Sequence, residues 1–167
     1  SLYFEDADTA DRPTVDIVFD SAEWSRSGGI LTSATVADIG TALQVTPDPG
    51  NTNVGSVDYT YSVDPDDIDF IGAGETVTLS YTATVTDDGG NTDNVTLLVK
   101  ITGTNDAPTA VLDDAVTVTE DIAREIDVLN YDSDVDGDNF SVVSVTHGSK
   151  GTVTINKDDS GSGITVR

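Results

Sequence analysis

The stretch Val77-Thr78-Leu79-Ser80-Tyr81-Thr82-Ala83-Thr84-Val85 alternates without a break: every odd position is apolar and every even one is Thr or Ser. Successive strand side chains point to opposite faces, so this stretch has one face to bury and one to wet. Val95-Thr96-Leu97-Leu98-Val99-Lys100-Ile101 and Val57-Asp58-Tyr59-Thr60-Tyr61-Ser62-Val63 repeat the pattern. Weaker strands are predicted at residues 14–19, 30–36, 116–119, 125–128, 140–146, 151–155 and 164–166. Thr and Val suit a pleated surface and resist the helix, because branching at Cβ restricts χ1. One short helix is predicted, within residues 36–43. Asp87-Asp88-Gly89-Gly90-Asn91 reads as a hairpin loop and Pro47-Asp48-Pro49-Gly50-Asn51 as another turn. Many short strands with regular turn signals predict an all-β chain built as an antiparallel β-sandwich.

A domain boundary is predicted at about residues 105–108, where Gly103-Thr104-Asn105-Asp106-Ala107-Pro108 ends a strong strand and a new acidic β segment begins. Residues 1–107 then form one sandwich and residues 108–167 a second, partial β module. A short internal repeat sets Asp6 on Asp132 and Asp8 on Asp134. By that register the first sandwich lacks its opening strands and the second lacks its late ones. The expectation is that the strands within 116–128 pair with another sheet, by permutation or by strand exchange with another chain. Ser1-Leu2-Tyr3-Phe4-Glu5 reads as the interior of a larger protein rather than a signal peptide.

Charge narrows the function. Acidic residues number 31 and basic residues 7, for a formal net charge of −24. Of the acids, 26 are Asp and 5 are Glu. Helical solubility faces favour Glu, whereas Asp is a turn former and a hard oxygen ligand. Nucleic acid and anionic lipid are repelled by such a chain, and cations are attracted. The absence of Cys excludes a disulfide framework, a thiolate zinc site and a thiol nucleophile. No apolar run approaches the length of a membrane span. H-E-x-x-H, G-x-S-x-G and Gly-rich phosphate loops are absent too, so the chain is read as no enzyme.

The acids cluster in loops: Asp6/Asp8/Asp11, Asp64/Asp66/Asp67/Asp69, Asp87/Asp88/Asn91/Asp93, Asn105/Asp106 and Asp132/Asp134/Asp136/Asp138. Calcium takes six to eight oxygens at ~2.3–2.6 Å from carboxylates, amides, carbonyls and water. Zinc would prefer His or Cys, and His147 is the one His. The most specific motif is Asp132-Ser133-Asp134-Val135-Asp136-Gly137-Asp138, which matches the opening of an EF-hand loop; the twelfth position, a bidentate Glu in that motif, is Val143. Ca2+ is the predicted ion. Strand polarity sorts the ligands into two poles. Asp67, Asp69 and Glu75 are assigned to the exit pole, with Asn105, Asp106, Asp132 and Asp134; Asp136 and Asp138 join the ligand list as further carboxylates of the 132–138 loop. Asp87, Asp88 and Asn91 are assigned to the opposite pole, beside Asp6 and Asp8. Trp24 reads as a half-buried anchor rather than a sugar platform, and Tyr59, Tyr61 and Tyr81 read as core.

Three stretches carry a family resemblance: Val63-Asp64-Pro65-Asp66-Asp67-Ile68-Asp69-Phe70-Ile71-Gly72-Ala73-Gly74-Glu75, Leu79 to Asn91, and Ile101-Thr102-Gly103-Thr104-Asn105-Asp106-Ala107-Pro108. Together they resemble the VCBS repeat of bacterial surface proteins. Residues 109–156 resemble the start of the related bacterial cadherin-like or Ig-like repeat. The resemblance implies an Ig/cadherin-like sandwich in a tandem array, the extender region of a large RTX-type adhesin with calcium between modules. It places the chain outside the cell, at the bacterial surface after type I secretion, with neighbouring repeats as partners. Gly103 and Ala107 replace the first and last residues of the cadherin linker pattern. The competing readings are a sugar- or protein-binding adhesin domain and an accessory β-module of a secreted hydrolase.

Overall fold

The computed structural model describes residues 1–156 and 163–167. The chain forms two compact units, Ser1–Thr104 and Asn105–Arg167. Unit 1 holds β1 (Leu2–Glu5), β2 (Thr14–Trp24), helix α1 (Ser33–Gly40), β3 (Leu43–Pro47), β4 (Val54–Tyr61), β5 (Thr76–Thr86) and β6 (Thr92–Thr102). All pairings are antiparallel, in two sheets ordered β1-β4-β3 and β2-β5-β6. The result is the predicted all-β, Ig-like sandwich.

β5 is the keystone. Its alternation places Val77, Leu79, Tyr81 and Ala83 at no more than 1% exposure, and the first three share a buried cluster with Ile39 and Ile71. Phe19 meets the Tyr81 ring edge-on at 5.5 Å, and Leu43 and Tyr61 close the core from the other sheet. The Tyr61 and Tyr81 hydroxyls both donate to the Ile39 carbonyl, at 3.0 and 3.5 Å. Burial, then the neighbouring Tyr81 and Asp67, pushes the Tyr61 phenol up to about 12.

β2 runs five residues beyond its predicted end at residue 19. A bulge between Phe19 and Ser21 inserts Asp20. The inward set is Val15, Ile17 and Phe19 before it, then Ala22 and Trp24 after it. One extra residue thus keeps both halves of the strand facing the core. Asp20 turns outward and its Oδ2 accepts from Thr82 Oγ1 at 2.8 Å.

The predicted strand at 30–36 is not formed. Thr32 Oγ1 caps α1 by accepting from Thr35 N–H at 3.1 Å, and Thr35, Val36, Ile39 and Gly40 face inward at helical spacing. Burying Ile39 at the centre of the core outweighs the β preference of the flanking Thr and Val. β1 and β3 were not predicted; both are short and pair with β4.

In unit 2, β7 (Arg124–Asp127), β8 (Val153–Ile155) and β9 (Gly163–Val166) form one sheet ordered β7-β9-β8. The strands predicted at 116–119 and 140–146 are not formed, and Val118 and Val143 stay exposed at 45% and 88%. A strand needs a neighbouring ladder, and β propensity does not provide one. Among the described residues of unit 2 no apolar side chain is fully buried; Asp136 is.

Gly103, which stands where the linker pattern has Asp, is fixed by packing. A Cβ there would lie 1.7 Å from the Ile71 carbonyl oxygen, and its N–H donates to Glu75 O at 3.1 Å. Gly103→Ala is expected to destabilise unit 1 by about 1–3 kcal/mol, the usual cost of overpacking. Urea unfolding followed by Trp24 fluorescence measures it, and a wild-type midpoint would mean that the Ile71 loop yields freely.

Candidate metal centres

Two groups of carboxylates converge, one in each unit. The first lies beside the end of β1 and the β5–β6 hairpin. Asp6 is tied down by its N–H to Asn53 O at 2.7 Å, and its Oδ1 accepts from Asp8 N–H at 2.7 Å. That Asx turn brings Asp11 round, with Asp11 N–H on Asp8 O at 3.0 Å. Across from it, Asp87 is gripped by Asn91. Oδ1 accepts the backbone N–H and Oδ2 the side-chain amide, each at 2.7 Å. Gly90, at φ +83°, supplies the left-handed residue of this turn.

Carboxylate oxygens of Asp6, Asp11 and Asp87 lie within 4.8 Å of one another. Two oxygens on one calcium ion are at most twice the metal–oxygen distance apart, ~5 Å, so this set fits within one coordination sphere. Asp8 and Asp88 stand outside it but still raise the Asp11 pKa. Partial burial is the largest cause of that rise, followed by Asp6, Asp88, Asp8 and Asp87. Asp87 moves the other way, held down by the Asn91 side-chain and backbone hydrogen bonds. The surroundings thus favour the charged form of Asp87 and disfavour that of Asp11. Asn91 works here as the donor that orients Asp87.

The second group is the loop after β7. Asp134 Oδ1 accepts from the N–H groups of Asp136 and Asp138, at 3.0 and 3.3 Å. Gly137, at φ +71°, lets the chain turn and donates to Asp134 O at 3.1 Å. The opening segment of the unit is tied to this loop. Asp106 N–H donates to Asp136 Oδ2 at 2.7 Å, Val111 N–H donates to Asp132 Oδ1 at 2.8 Å, and Thr109 and Ser133 form a two-way bridge. Carboxylate oxygens of Asp134, Asp136 and Asp138 lie within 4.8 Å of one another, with Asp136 at 0% exposure. An all-oxygen set of this span suits a hard cation. Asp132 serves as a backbone acceptor, and Asn105 donates its side-chain amide to Asp106 O.

Residues 105–166 match the family model of the bacterial Ig domain. Over this span the chain is similar to bacterial Ig domains. No curated protein matches the chain. A domain of this kind points to a structural or adhesion-type module. Bacterial Ig domains are often extracellular or surface-exposed, and no described helix is long and apolar enough to cross a membrane. The Asp134–Asp136–Asp138 loop lies inside the matched Ig-like span.

The remaining predicted ligands lie in unit 1. Asp64 caps the 3-10 turn Pro65–Asp67, accepting from Asp66 N–H at 3.2 Å. Asp67 has a raised pKa from partial burial and then from Asp38, Asp64 and Asp66. Asp69 is exposed. Glu75 is a clamp. Its Oε1 takes the Arg26 Nε at 2.6 Å, while Oε2 accepts from Trp24 Nε1 at 3.1 Å and Gly72 N–H at 3.3 Å. The Arg26 hydrogen bond is the main reason its pKa is lowered. Arg26 also lies over the Trp24 ring at 4.7 Å, and Trp24 meets Phe70 edge-on at 4.9 Å. The predicted anchor role of Trp24 is thus the packed one. Asp11 is the residue that sequence reading left out of the ligand set. Its Asx-turn spacing from Asp6 and Asp8 was the available signal.

Asp11 yields a pH test. Its folded pKa lies above its unfolded value, so stability falls as pH rises from the ordinary carboxylate range through the folded pKa. Asp11→Asn removes that penalty. In EDTA at neutral pH the variant is expected to melt above wild type, and near pH 3 the two should converge, since most carboxylates are then protonated. A variant that melts lower in EDTA at neutral pH would show that Asp11 stabilises the loop instead.

Proposed function

We propose that this chain is a calcium-binding structural module, an extender segment of a secreted bacterial surface adhesin, with no catalytic role. One observation carries the reading. Asp136 is wholly buried beside the carboxylates of Asp134 and Asp138, in a unit whose described residues bury no apolar side chain. A carboxylate withdrawn from water next to two others is costly unless positive charge offsets it. A domain with so small an apolar core needs another source of cohesion, and a bound metal is a common one. A divalent ion here supplies both. It turns mutual repulsion into attraction and pins residues 105–111 to the loop through Asp106 and Asp132.

The set Asp6, Asp11 and Asp87 does the same for unit 1, joining the loop after β1 to the β5–β6 hairpin. Calcium then stiffens loops at both places, which suits a spacer that holds a distal binding head away from a cell. The bacterial Ig-like span supports surface display. Direct sugar recognition through Trp24 is disfavoured, because Arg26 lies over its ring.

Calcium is expected to raise the thermal stability of the full chain. Ions that bind the folded state alone add RT ln(1 + [L]/Kd). At about 10 mM calcium and a Kd near 1 mM, that is about 1.4 kcal/mol per site. Asp136→Asn keeps the shape and removes a charge. It should abolish the calcium-induced hydrogen-exchange protection of residues 105–111 and 132–138 while leaving that of the β5–β6 hairpin. Identical melts in EDTA and calcium would overturn the proposal.

A further inference from the structure

Unit 1 has an open flank. β1 is one edge of its sheet and β6 is one edge of the other. Between them lies a cleft of about 500 Å³. Leu2, Phe4, Ala83, Val85 and Val95 supply its apolar lining. A smaller adjoining hollow reaches Ile17, Tyr59 and Leu97, side chains of the sandwich interior. In the first half of β6, residues 92–96 are exposed, and Val95 keeps 48% of its surface in water. Two strand edges bordering an apolar trough are the conditions under which a sheet accepts an added strand.

The ends of the cleft are not equivalent. Glu5, Asp6, Asp87 and Asp93 gather at one end, with no Lys or Arg in the lining. On a chain of net charge −24, this end attracts a cation on its occupant and rejects an anion. The chain has a segment of suitable pattern, Ala115-Val116-Thr117-Val118-Thr119, whose valines are exposed at 38% and 45%. Its flanks are Asp113-Asp114 on one side and Glu120-Asp121 on the other, so either direction of entry brings acids to the acidic end. Charge therefore argues against a second copy of this chain as the occupant.

We propose that the β1–β6 cleft of unit 1 binds an extended polypeptide strand, apolar at alternate positions, with Lys or Arg over Glu5 and Asp93, the acids of that end outside the proposed calcium set. β1 alternates in the same way: Leu2 and Phe4 turn in while Tyr3 and Glu5 are less covered. A strand beside it presents every second side chain to the trough. The outer edge of β1 supplies main-chain hydrogen bonds, the trough reads the apolar alternation, and the acidic end reads direction and charge.

The test uses the full chain in EDTA, because Asp6 and Asp87 also belong to the proposed calcium set. The probes are synthetic peptides of alternating Val and Thr, one ending in a lysine pair and one in a glutamate pair. The lysine peptide should bind, with affinity that falls as salt rises, and the glutamate peptide at least roughly tenfold more weakly. Hydrogen exchange should show new protection at residues 2–5. Glu5→Gln combined with Asp93→Asn should remove the preference for lysine while leaving the calcium response of the chain unchanged. That response separates failure here from failure of the calcium reading. Equal binding of the two peptides, or binding of neither, overturns the proposal. So does self-association of the chain that Val118→Asp abolishes, which would make residues 115–119 of a second copy the occupant.

Discussion

Both neighbours of β5 depend on its alternation. β2 and β6 each pair with it over most of its length, and its inward side chains form the centre of the core. A one-residue slip of this strand would turn Val77, Leu79, Tyr81 and Ala83 to water and bring four hydroxyl side chains inside, so its register is tightly specified. The Asp20 bulge, the α1 cap and the close approach of Gly103 to Ile71 are accommodations around that fixed element. Each keeps a neighbouring segment in phase with it or close against it.

The second organising constraint is electrostatic. The strongest clusters of negative charge lie in loops, where Asp side chains hold turns by accepting backbone N–H groups. Asp6, Asp48, Asp64, Asp87 and Asp134 all do this. An Asx turn fixes one carboxylate and brings the next acid round to meet it. Turn chemistry and ligand geometry thus arise from the same residues. The two units differ in what else supports them. Unit 1 has a packed interior, and its acidic set adds to it. The described residues of unit 2 place a carboxylate where a core side chain would be.

How far the fold could be read from sequence follows from phase. Where alternation is unbroken, as in β5, or broken at Leu98 alone, as in residues 95–101 of β6, the strands were legible over most of their length. Where a bulge shifts the phase, as at Asp20 in β2, the reading stopped at Phe19, because the extra residue looks like the end of the pattern. The Thr-rich stretch before Ile39 looked like a strand because its helical face, Thr35, Val36, Ile39 and Gly40, mixes polar and small residues with apolar ones. Residues 116–119 and 140–146 have strand composition but no ladder to join, and composition does not reveal a missing partner.

Sequence alone determined the class of fold, since unbroken period-two patterning cannot gather its apolar residues on one helix face, and it made a cationic ligand the expectation, since 31 acids face 7 bases. It also named the acidic loops. Tertiary structure decided which acids in them meet. Asp11 rather than Asp8 joins Asp6 and Asp87, because the chain reverses at Asp8 and the hairpin arrives from far along the sequence. It decided that Glu75 is taken by Arg26 and Trp24, and that Asp136 is buried while Asp132 holds Val111. Such choices depend on distances of a few ångströms between segments remote in sequence, and those distances are fixed by how the strands pair and pack.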